Sequence, residues 1–188
     1  MCETNFTMKL PEETKAIREA LTKIDSRLFQ SYVMPYVKET DALIRTSIAA
    51  PDWAPKAGGP ADARPYVYKV LLGLVLVHSE VSTTTAPLTS PIIKHLLEKY
   101  LLSFLDAIKQ RPRYALPALM QATLDVEFMT QTLNNYTAEK ASSTQSQIYV
   151  QLDQLTDNEA RVKLQEELKE LRITLKTLRE GTKTELYV

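Results

Sequence analysis

RYALPALMQATLDVEFMTQTLNNY, residues 113–136, is the stretch on which the fold turns. Set on a helix at about 100° per residue, Leu116, Leu119, Val126, Met129 and Leu133 fall on one side. Met120, Leu124 and Phe128 widen that arc to about two thirds of the circumference. Gln121, Asp125 and Thr132 hold a narrow polar wedge. A helix resting on one core is apolar along one stripe, whereas an arc this wide is packed on several sides. The segment reads as the central helix of an all-α bundle.

The flanking segments repeat the helical period. Upstream, Ser90-Pro91 opens a helix with Ile92, Leu96, Leu97, Tyr100, Leu101, Phe104, Leu105 and Ile108 on its core side, and Arg111-Pro112 closes it. Tyr66 to Val77 has ten apolar residues in twelve. No second strand-like segment exists to pair with it, so it is read as a buried helix, capped by Asp62 with Pro65 in its first turn. Val81 to Thr89, VSTTTAPLT, reads as a hydroxyl-rich loop. Residues 50–65, APDWAPKAGGPADARP, hold four prolines and Gly58-Gly59 and form the one long loop. Trp53 is expected to plug that loop onto the bundle, because aromatic burial is strongly favourable.

Earlier still, Pro11-Glu12-Glu13 suits a helix start. Ile17, Leu21, Ile24, Leu28, Phe29 and Val33 continue that helix, which Pro35 is expected to end or kink. A second piece carries Val37, Leu43, Ile44 and Ile48. Downstream of the central helix, residues 137–147 are polar and small, an exposed helix start or a short linker. Ile148, Tyr149, Leu152 and Leu155 resume the apolar pattern, and Thr156 with Glu159 has the spacing of a capping box. The last helix runs from about Asp157 to Arg179, with Gly181 as its stop. The expected organisation is a disordered leader at 1–10, one helical domain over 11–181, and a tail at 182–188. The architecture is an elongated antiparallel bundle of six or seven helices.

Bulk composition excludes several functions. Among 188 residues, 44% are apolar and 24% charged, as in folded soluble domains. The 23 basic residues balance the 23 acidic ones, so no overall field draws the chain to nucleic acid. Cys2 is the only cysteine, which removes internal disulfides and cysteine-built zinc sites and fits a reducing compartment. The first fifteen residues lack the continuous apolar region of a signal peptide. The longest apolar run, Val70 to Val77, is far short of the ~20 residues that span a bilayer.

Catalytic chemistry finds little support. His78 and His95 lack the H-E-x-x-H and glutamate-x-x-His spacings of helical metal sites. His78-Ser79-Glu80 matches a triad in composition only, since neighbours on a helix diverge by about 100°. Asp125 and Glu127 diverge by about 200° and cannot work as one acid–base pair. Glu127 falls inside the apolar arc and needs a partner, with Arg64, Arg113 and Lys140 as candidates, or a raised pKa. With four glycines and no phosphate-loop motif, the chain has no nucleotide cradle. No cofactor, metal, small-molecule substrate or nucleic acid is expected.

Two features point to protein or membrane contacts instead. Leu164, Leu168, Leu171, Leu175 and Leu178 follow the 4-3-4-3 spacing of a coiled-coil seam. The seam either packs on the bundle or takes a partner helix. Lys109, Arg111 and Arg113 form a small basic cluster, a candidate for an acidic partner or anionic lipid at about 1 kcal/mol per cation.

Five stretches carry a resemblance. LTKIDSRLFQSYV (21–33), PDWAP (51–55) and ARPYVYKVLLGLVLVHSEVSTTTAPLT (63–89) are followed by RPRYALPALMQATLDVEFMTQTLNNYT (111–137) and QIYVQLDQLTDNEARVKLQEELKELRITLKTLREGTKTE (147–185). Their length and order resemble the C-terminal helical region of fungal exocyst subunit Sec-five (exocyst complex component two). The resemblance implies a non-enzymatic scaffold in the complex that tethers secretory vesicles to the plasma membrane. It further implies a rod of stacked helical bundles, other exocyst subunits as partners, and a cytoplasmic location peripheral to sites of secretion. The family's N-terminal coiled-coil assembly region and the Ral-binding domain of animal relatives are not matched. A small GTPase or anionic lipid is the alternative partner class.

Overall fold

The computed structural model describes the backbone of residues 3–56 and 58–186, and the side chains of 12–56 and 58–181. Six α-helices account for most of it: α1 (Glu3–Ala49), α2 (Pro65–Thr84), α3 (Ala86–Lys109), α4 (Leu116–Thr132), α5 (Glu139–Gln154) and α6 (Asn158–Leu186). One 3-10 turn, Asn134–Tyr136, follows α4. Among the described residues there is no strand, only an isolated bridge between Tyr114 and Thr156. The fold is all-α.

The chain divides into two compact units, residues 1–36 and 37–188. The first is the leading part of α1, and its side chains from Glu12 to Leu28 are exposed. Helical backbone begins at Glu3, inside the stretch expected as a leader, whereas Met1 and Cys2 lie outside the described residues. Pro35 does not end the helix. Proline there leaves the Ser31 carbonyl without its helical donor, and because Ser31 is exposed, water can replace the lost bond.

In the second unit, α3 packs against α5 and α2, while α4 packs against α6. The centre is shared by two helices rather than held by one. α4 buries a near-continuous run from Ala118 to Met129, as its wide apolar arc predicts. α3 buries twelve residues, including Leu96, Leu97, Leu101, Phe104 and Ile108. A parallel bridge ties the entry of α4 to the exit of α5, with the Tyr114 N–H donating to the Leu155 carbonyl at 3.0 Å.

Several boundaries differ from the sequence reading, each for a local reason. VSTTTAPLT is helical almost throughout: α2 continues to Thr84 and α3 starts at Ala86. The hydroxyls of Ser82, Thr83 and Thr84 bond back to carbonyls three and four residues earlier, so they are satisfied without leaving the helix. α4 begins at Leu116 with Pro117 in its first turn, later than Arg113. Asp62 does not cap α2; its carboxylate instead accepts the Tyr68 hydroxyl at 2.5 Å. At the start of α6 the cap is Asp157, whose Oδ1 accepts the Ala160 N–H at 2.8 Å. Thr156 is turned the other way, donating to the Leu152 carbonyl at 2.6 Å. Gly181 does not stop α6, which runs to Leu186.

Candidate interaction surfaces

The long loop is held down by a stack built from three side chains. Trp53 is buried, with its ring edge-on to Tyr114 at 6.2 Å and the Arg111 guanidinium 4.9 Å above its centre. Arg111 donates from Nε and Nη2 to the Ile48 carbonyl (3.0 and 2.5 Å) and from Nη2 to the Ala50 carbonyl (2.9 Å). It therefore caps the C-terminal end of α1, where a cation meets the negative end of the helix dipole. Tyr114, buried beneath, donates its hydroxyl to the Ile108 carbonyl near the end of α3. Its hydroxyl pKa is pushed up by burial. Of the basic cluster read from sequence, Arg111 is thus committed to the fold, whereas Lys109 and Arg113 are exposed.

The polar wedge of α4 faces inward as well. Asp125 is fully buried and its carboxylate gathers three donors: the Arg64 backbone N–H (3.0 Å), the Gln121 amide (2.8 Å) and the Tyr66 hydroxyl (2.8 Å). Gln121 also donates to the Asp62 carbonyl at 3.1 Å, so this cluster pins the end of the loop and the start of α2 onto α4. Burial raises the Asp125 pKa to about 6, against the opposing pull of the Arg64, Tyr66 and Gln121 donors. Burial likewise pushes the Tyr66 hydroxyl well up, with the neighbouring Asp125 charge adding to it.

Glu127 points elsewhere. Among the described residues none of the expected cations, Arg64, Arg113 or Lys140, is bonded to it; instead it accepts the Tyr149 hydroxyl and the Gln131 amide, the latter at 2.6 Å. Gln131 in turn accepts Arg179 Nη1 at 3.0 Å, so a polar chain crosses from α5 through α4 to α6. Burial, followed by the Glu127 contact, raises the Tyr149 pKa. Sequence periodicity put Glu127 in the apolar arc but could not name Tyr149, which is 22 residues away on another helix.

The leucine seam of α6 lies along α4. Leu171 and Leu175 are buried, and Leu164, Leu168 and Leu178 are half-buried. Leu168, Leu171 and Leu175 meet Leu124 and Glu127 around a cleft of about 310 Å³, with Arg172 on its lining. The seam is therefore engaged by the chain's own bundle, most fully at Leu171 and Leu175. A different helix face is open. Leu72, Val75 and Leu76 form one exposed apolar side of α2, opposite the buried Val67, Val70, Leu74 and Val77, while Tyr68 at its edge sets its ring against Phe128 at 5.4 Å. Tyr66 to Val77, expected from its composition to be a buried helix, leaves four of its ten apolar residues exposed.

Asp125 and Glu127 serve separate networks, His78 is exposed with its ring near Tyr136, and His95 is half-buried on α3. Among the described residues no three His, Cys, Asp or Glu side chains group as metal ligands, and no helix is long and apolar enough to cross a membrane.

Compared with protein-family models, the chain matches the one described as exocyst complex component Sec5, over residues 1–187. Comparison with curated proteins and with solved structures found no match to either.

Proposed function

Because the chain belongs to the Sec5 family of exocyst components, matched over nearly its whole length, we propose that it works as a non-enzymatic helical module of an exocyst subunit. It contributes to tethering secretory vesicles at the plasma membrane before fusion, by presenting a rigid helical surface to neighbouring subunits. The family match carries this reading. One feature of the geometry supports it: Leu72, Val75 and Leu76 stand exposed together on a single face of α2. On α6, the half-buried flanks at Leu164, Leu168 and Leu178 are the remaining candidates for a partner helix.

Binding of the purified chain to each other exocyst subunit in turn tests the proposal. Binding to at least one is expected, and Leu72→Asp with Leu76→Asp should abolish it while leaving helical circular dichroism intact. If no subunit binds the folded chain, the module reading is wrong. The alternative, an effector for a small GTPase or anionic lipid, rested on three cations; with Arg111 occupied by backbone carbonyls, Lys109 and Arg113 alone are a weak lipid site.

A further inference from the structure

Ser90-Pro91 is the only pair in the sequence that joins a serine or threonine to a following proline. It lies near the start of α3, and the Ser90 side chain is exposed. Neither the packing of the bundle nor the family match gives this pair a task.

The backbone around it is held against its own preferences. A residue before proline is disfavoured in the α region, because the ring crowds its N–H and Cβ, and is pushed toward extended backbone. Ser90 is helical all the same. Pro91 has no N–H to give, so the Pro87 carbonyl lacks its helical donor. Thr85, at the N-cap, makes no side-chain cap bond to the first turn. The Thr89 hydroxyl is buried with no partner, a cost that ends when the turn opens and water reaches it. Ala86, Pro87 and Leu88 are exposed, so little packing opposes that opening. Directly after the pair, Ile92 and Ile93 are buried and hold the rest of α3 in place. Residues 85–91 are therefore a weakly secured turn on a firmly docked helix.

We propose that Ser90 is a phosphoacceptor for a proline-directed protein kinase, which takes residues 85–91 in the extended form that Pro91 favours. The Ser90 Oγ bonds to the γ-phosphorus of ATP as the bond from that phosphorus to its bridging oxygen breaks. ADP leaves, and the hydroxyl proton passes to the carboxylate base of the kinase. The product carries about two negative charges four residues before Lys94. That spacing makes an opposite-charge pair on one helix face, so the turn re-forms around the phosphate. The inference is independent of exocyst membership.

Incubating the folded chain with a cyclin-dependent kinase and magnesium ATP, with the phosphate mapped by mass spectrometry, reads the result. One phosphate per chain is expected, on Ser90, and none on Ser90→Ala. Thr89→Val removes the unpartnered hydroxyl and keeps the Ser-Pro pair. It should slow phosphorylation of the chain by about fivefold while leaving that of a peptide of residues 84–96 unchanged. Ile108→Val loosens the core at the far end of α3 and should not alter the rate. A chain that takes no phosphate while the peptide does, a peptide that takes none, or phosphate that persists on Ser90→Ala overturns the proposal. So does a rate that ignores Thr89→Val, or one that rises with Ile108→Val and so belongs to the globally unfolded chain.

Discussion

Asp125 and Glu127 stand two positions apart on α4, and the helix turns them to different tasks. Asp125 pins the loop and α2 through three donors; Glu127 links α5 to α6. Asp125→Ala strands the Tyr66 hydroxyl, the Gln121 amide and the Arg64 N–H, and should cost about 3 kcal/mol in denaturant unfolding. The pH dependence follows from the raised pKa. A rise from 3.8 to about 6 means the folded chain retains a proton that the unfolded chain releases. The contribution is fully present below about pH 4, is lost as pH rises to about 6, and is flat above that; the full change corresponds to about 3 kcal/mol. Asp125→Asn should therefore flatten the stability profile between pH 4 and 6, and an unchanged profile would show that Asp125 is not the titrating group. Arg111→Ala should cost about 1–2 kcal/mol, because it removes charge-assisted bonds at a helix terminus, while Arg113→Ala should change stability by less than about 0.5 kcal/mol. At this scale the sequence was half legible. The 100° turn separated the two carboxylates and the favourable burial of an aromatic ring put Trp53 in the core, but Arg64, Tyr66 and Tyr149 lie 22 to 61 positions from the carboxylates they bond, which local periodicity does not reach.

The helices were read well and their ends poorly. Apolar spacing located every helix of the second unit, because burial of a stripe decides helix position whatever the caps do. Boundaries depended on smaller terms. Ser82, Thr83 and Thr84 found carbonyls within their own helix, and Asp157 won the cap of α6 over Thr156, turned toward Leu152. The leucine seam of α6 was open to two readings, since internal and external packing give the same spacing. Leu171 and Leu175 are buried against α4, so changing both to glutamate should reduce helical circular dichroism and lower the unfolding midpoint, with about 3 kcal/mol or more lost. A double variant that stays folded at full stability would place the seam in an external interface instead.

At the scale of the molecule, family membership and an all-α architecture agree, and both were visible in the sequence as ordered, lengthy similarity and as helical period. The open α2 face was not visible. Tyr66 to Val77 is apolar around its circumference, and a sequence cannot say which side the chain covers and which it leaves for a partner. Cutting vesicle tethering down to this segment gives the most direct test. In cells whose Sec5-family subunit lacks the region corresponding to residues 1–187, secretory vesicles should accumulate beneath the plasma membrane, and the same should follow from Leu72→Asp with Leu76→Asp in an otherwise intact subunit. Normal vesicle numbers in the deletion, with the other subunits present at their usual levels, would contradict the claim that this module serves tethering.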